Sequence, residues 1–143
     1  TFYDASHGIR WYTAGDEEMR LENDGDLHVE RDVIAYSSTI SDERLKDNVL
    51  TIDGALDKVC KLRGVEYTWN KGSRKDQRDI GVIAQEVEEV IPEVVREKKM
   101  PLLDESEELY KTVDYEKLTA VLIEAVKELK AEVADLKQQI NEK

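Results

Sequence analysis

The chain has 143 residues, enough for one small domain with an appendage, and sets 21 lysines and arginines against 33 aspartates and glutamates for a net charge of −12. That surface repels polyanions, so neither nucleic acid nor an anionic membrane is an expected partner. At 40% hydrophobic and 38% charged residues it can build a core while much of its length stays wet; no apolar run is long enough to span a bilayer, and no secretory leader pattern opens it.

Residues 1–40 read as β structure. "GIRWYT" (8–13) and "EMRLEN" (18–23) alternate polar and apolar side chains, "NDGD" (23–26) is a turn, and "LHVERDVIAY" (27–36) resumes the alternation through Leu27, Val29, Val33 and Ala35. The stretch holds few large apolar residues. It is the kind of β segment that becomes stable when several chains wind together or repeats stack, and it is expected to be the distal end of a β-structured fibre stalk.

Residues 41–114 read as a globular α+β unit. "SDERLKDNV" opens with Ser41 in the N-cap position of a helix, followed by two acids suited to its positive end. "DGALDKVCKLRG" (53–64) places Leu56, Val59, Cys60 and Leu62 on one helical face, with Gly64 as the stop and Cys60 as a small buried apolar residue. "VEYTWN" (65–70) is a strand with Val65, Tyr67 and Trp69 on one side, and a charged loop (71–79) leads to a strand "IGVIAQ" (80–85). A short helix "AQEVEEVI" (84–91) ends at Pro92, with Gln85 and Glu86 as polar first-turn residues, and strands follow near 93–98 and 108–114.

Residues 115–143 carry a heptad repeat. Leu122, Leu129 and Leu136 fall at d, and Val126, Val133 and Ile140 at a. A stripe of two positions in seven is narrow, which favours a partner helix over the helix's own domain. Glu132 at g would face Lys137 at e of a parallel neighbour. Val or Ile at a with Leu at d is the pattern of two strands by the simple rule.

Chemistry-bearing residues are sparse. Cys60 is alone, so a disulfide framework and a thiolate metal cluster are both out. His7 and His28 stand apart from other metal ligands, and neither a metal nor a cofactor is expected. Phosphate loops, HExxH motifs and paired cysteines are missing. What remains is Ser41 with Lys46 in "SDERLK". A serine hydroxyl needs a base within hydrogen-bond reach, and a neutral lysine can serve. On a helix from Ser41 the lysine lies about one and a half turns on. The lysine stem can reach back that far although the two side chains do not share a face, and the free N–H groups of the helix start could receive an oxyanion. Serine before Asp-Glu is also an ordinary cap, and spacing alone leaves both readings open.

"AYSSTISDERLKDNV", "ALDKVCKLRGVEYTW", "IGVIAQEVEEVIPEVV", "TVDYEKLTAVLIEAVKEL" and the closing heptads, in this order over residues 36–143, resemble the intramolecular chaperone auto-processing domain, the peptidase S74 family. The family occurs at the C-termini of bacteriophage tail fibres, tailspikes, neck appendages and endosialidases. The resemblance implies an intertwined homotrimer, held through the coiled coil and the globular core, that guides the preceding stalk of the same chain into shape and then cuts itself off once. Ser41 would be the nucleophile and Lys46 the general base. The bond cut would be Ile40–Ser41, or Ser41–Asp42 if attack falls on the other side. The stalk would then belong to the virion tail fibre, and the released part would stay in the host cytoplasm. Two other readings remain, a trimerisation and folding module of the same architecture that does not cut, and a plain coiled-coil adaptor.

Overall fold

The computed structural model describes residues 2–4, 8–23, 25–30, 33, 39–103 and 108–142, the first three by their backbone alone. They fall into two compact units. One gathers residues up to Thr39 with Glu66–Asp79 and Glu97–Tyr110; the other gathers Ile40–Val65, Ile80–Arg96 and residues from Lys111 onward.

The first unit is built on an antiparallel meander of four strands in sequence order: β1 (Phe2–Asp4), β2 (Gly8–Thr13), β3 (Asp16–Leu21) and β4 (Leu27–Val29). Ala14 and Gly15 turn β2 into β3 with positive φ at both positions, 55° and 100°. That combination gives the tight hairpin turn whose twist matches its strands. The register runs to the turn itself, Thr13 opposite Asp16, so β3 starts two residues before the alternation at Glu18 suggested. Gly8 is required where it stands, because a Cβ there would collide with the Leu21 carbonyl oxygen. β4 stops at Val29. Of the expected continuation to Tyr36, Val33 is exposed and outside any strand, and residues 31, 32 and 34–36 lie outside the described set.

Two hairpins contribute residues to both units: β5 (Val65–Thr68) with β6 (Arg78–Gly81), and β7 (Val95–Lys99) with β8 (Leu109–Val113). The strand expected over 80–85 is displaced towards the N-terminus. β6 ends at Gly81, and the chain then enters a helix at Ala84.

The second unit packs three helices, α1 (Ala55–Lys61), α2 (Ala84–Val90) and α3 (Tyr115–Asn141). Their buried side chains Ala55, Val87, Val121 and Ala125 form one core with Ile91, Val94 and Val95, which follow α2. α2 supplies Val87 and is followed by Ile91 and Pro92, where the ring ends the helix, as "AQEVEEVIP" implies. The result is an α+β chain with small sheets and one long C-terminal helix. Cys60 corrects the sequence reading. It is exposed, because Ala55, Leu56 and Val59 take the inner face of α1, and the next residue after Val59 swings about 100° around the axis.

α3 has two faces. Leu118, Val121, Ala125 and Glu128 look onto the core, while Leu122, Val126, Leu129, Val133, Leu136 and Ile140 form a separate exposed stripe. Glu128 solves a problem at the start of α1. The N-cap there is Gly54, in a left-handed conformation and without a side chain to accept the orphan N–H groups. The Glu128 carboxylate accepts from Ala55 N at 3.0 Å and Leu56 N at 2.7 Å instead. Those donors, Leu56 first, hold the carboxyl below its ordinary value of 4.5. A lowered folded-state value means stabilisation that is present above the ordinary carboxylate range and lost as pH falls through the lowered value. Glu128→Gln is therefore expected to unfold at lower urea than the parent at pH 7, with the gap closing in acid. An equal gap at pH 7 and pH 3 would show that the carboxylate charge plays no part.

Candidate active site

The stretch from Ser41 to Lys46 folds on one acidic residue. Asp42, not Ser41, is the cap: its carboxylate accepts from Arg44 N at 2.9 Å and from the Arg44 guanidinium at 2.7 and 3.0 Å. Those bonds, the guanidinium first, hold the Asp42 carboxyl below its ordinary range. The cap opens a single 3-10 turn, Glu43–Leu45, and not the longer helix expected. Asp42 wins the cap because a carboxylate offers two acceptor oxygens where a hydroxyl offers a weaker one.

The short turn frees both ends. Lys46 N donates to Glu43 O at 3.0 Å, and Lys46 itself is extended, with φ −129° and ψ 130°. Asn48 then takes φ 53°, a left-handed conformation that asparagine tolerates. On a continuous helix the serine and lysine would point apart. With helical geometry confined to three residues, the lysine stem curls back, and its Nζ donates to Ser41 Oγ at 2.7 Å and to the Ser41 carbonyl oxygen at 3.0 Å. A hydroxyl and an amine are thus in hydrogen-bond contact beside the Ile40–Ser41 and Ser41–Asp42 bonds. Within this turn the Arg44, Leu45 and Lys46 N–H groups bond to Asp42 and Glu43.

Ser41 and Lys46 are both exposed, and so are the apolar side chains around them: Ile40, Leu45, Val49 and Leu50, the last at 86%. Glu86 has a structural partner. It takes a forked bond from Arg63, at 2.6 Å to one oxygen and 2.9 Å to the other, which ties α2 to the end of α1. No pattern along the chain marks this pair, whose members stand 23 residues apart. Among the described residues no three or more His, Cys, Asp or Glu side chains cluster to hold a metal, and no helix is long and apolar enough to cross a membrane.

Residues 41–96 match the profile of Peptidase_S74, described as the chaperone of endosialidase. The relatives it resembles are phage fibre proteins. It is 35% identical to the long tail fiber protein Gp37 of Enterobacteria phage K3 over 98% of this chain, and equally to that of phage T2. With the Gp37 of phage M1 it shares 39% over 68% of this chain. It spans only 12%, 11% and 38% of those proteins.

Proposed function

We propose that this chain is the intramolecular chaperone end of a phage long tail fibre, that three copies associate along α3, and that each then cuts itself once beside Ser41. Residues 1–40 would be stalk, 41–114 the chaperone and autoprotease, and 115–143 the coiled coil. The observation that carries the reading is the 2.7 Å contact between Lys46 Nζ and Ser41 Oγ in the segment where the family match begins.

The chemistry rests on that geometry. The neutral amine of Lys46 takes the Ser41 hydroxyl proton as Oγ attacks the Ile40 carbonyl carbon. A five-membered ring forms, the Ile40–Ser41 C–N bond breaks, and the acyl group passes to oxygen while the freed amino group takes up the proton. Water then hydrolyses the ester, leaving Ile40 as a new carboxylate and Ser41 as a new amino terminus. A lysine accepts a proton only in its neutral form, and withdrawal from water favours that form. The single chain leaves Lys46 in solvent amid Ile40, Leu45, Val49 and Leu50. Neighbouring copies covering those apolar side chains would desolvate the amine, so cutting would wait for assembly.

The test is denaturing electrophoresis of the purified chain, or its mass. Pieces of about 40 and about 100 residues are expected, with Ser41 at the start of the larger one. A chain that stays whole while self-associating would instead mark a folding module that does not cut.

A further inference from the structure

Resting on that reading, we infer that cutting beside Ser41 does not by itself free the stalk: loop 69–77 and segment 98–103, which begins in β7, grip residues 26–30, and the Lys98–Asp26 ion pair sets how fast the severed piece leaves. The observation is that one unit is made of segments far apart in sequence. Lys98 Nζ ion-pairs with the Asp26 carboxylate across 72 residues, and Ser73 Oγ donates to the Glu30 carbonyl oxygen at 3.1 Å across 43. Between these links lies an open groove of about 450 Å³, lined by Leu27 and Val29 of β4 and by Trp69, Met100 and Leu103. The loops also meet each other: a Cβ on Gly72, which has φ 76°, would lie 2.5 Å from Leu103 Cδ1.

None of these contacts involves Ser41, and every residue of β4 lies before the bond to be cut. Hydrolysis therefore removes the covalent link and leaves the grip. Lys98 and Asp26 are partly exposed, at 44% and 35% of their side chains. Salt screens such a pair strongly, so separation should speed up with ionic strength. Release becomes a second step, with a control distinct from that of the cut.

The experiment tracks the two pieces by size-exclusion chromatography at low and high salt, with denaturing gels to report the cut. The parent is expected to show two bands on the gel but one peak at low salt. Lys98→Glu should separate about ten-fold faster, since it replaces attraction with repulsion of similar size. Exchanging the charges, Asp26→Lys with Lys98→Glu, should restore retention, which loss of packing alone would not allow. To keep the inference independent of self-cleavage, the same series is run in a Ser41→Ala chain with a site-specific protease sequence in place of residues 34–38. A parent that stays whole sinks the self-cleavage reading and leaves the imposed cut to decide retention. Immediate separation of the severed pieces at low salt, or a charge exchange no better than Lys98→Glu alone, overturns the grip.

Discussion

Ser41→Ala leaves the chain in one piece under conditions in which the parent divides, and Lys46→Ala does nearly the same. The two are expected to differ in degree. Without the hydroxyl there is no atom to attack the Ile40 carbonyl, and the acyl shift has no route. Without the amine the nucleophile remains but lacks its base, and general-base catalysis of this kind is worth about 10²–10⁴ in rate. Lys46→Ala should therefore cut slowly over long incubation, and faster as pH rises and hydroxide substitutes for the base. Lys46→Arg separates chemistry from structure. Arginine can reach Ser41 Oγ as a donor but does not lose its proton in a protein, so it should hold the turn and fail to cut. The readout is band intensity on denaturing gels against time, with helix content by circular dichroism as the control for folding. Alanine variants that cut at the parent's rate would remove Ser41 and Lys46 from the chemistry.

Asp42 offers a lesson about what a sequence carries. Ser-Asp-Glu presents two good caps in a row, and propensity alone does not choose between them. The choice falls to Asp42 because Arg44 is placed to bond both its own N–H and its guanidinium to one carboxylate. The same choice shortens the helix and brings Lys46 back to Ser41, so the dyad contact depends on a detail that helical periodicity misses. What was legible is what repeats or punctuates. The alternation of "GIRWYT" gives β2 at both ends, Pro92 gives the end of α2, and the a and d positions give the exposed stripe of α3. What was not legible is contact between distant positions. Glu128 capping α1, Arg63 on Glu86 and Lys98 on Asp26 join residues 23 to 73 apart, and each is an ordinary surface charge when read along the chain. Cys60 fails for a related reason: on a seven-residue helix, one step of about 100° beyond Val59 decides burial.

The stripe on α3 carries the second large effect. Leu129→Asp with Leu136→Asp is expected to abolish self-association, and self-cleavage with it. Both leucines are about half exposed in the single chain, at 48% and 57%, so the core around Val87, Val121 and Ala125 does not depend on them. Between copies each buried leucine contributes about 1.5–3 kcal/mol, and a carboxylate in its place adds a desolvation cost at every repeat around the axis. Two such layers out of three are more than a short coil can lose. Sedimentation equilibrium gives the mass directly: under the proposed function the parent is expected at three copies, even though Val and Ile at a with Leu at d lean towards two strands, because the globular unit would then join the assembly too. The double variant is expected as a monomer that keeps its cooperative unfolding transition, with an intact Ser41–Lys46 turn that does not cut. A monomeric variant that still divides at the parent's rate would show that Lys46 needs no neighbour to cover it, and the dependence of cutting on assembly would have to be abandoned.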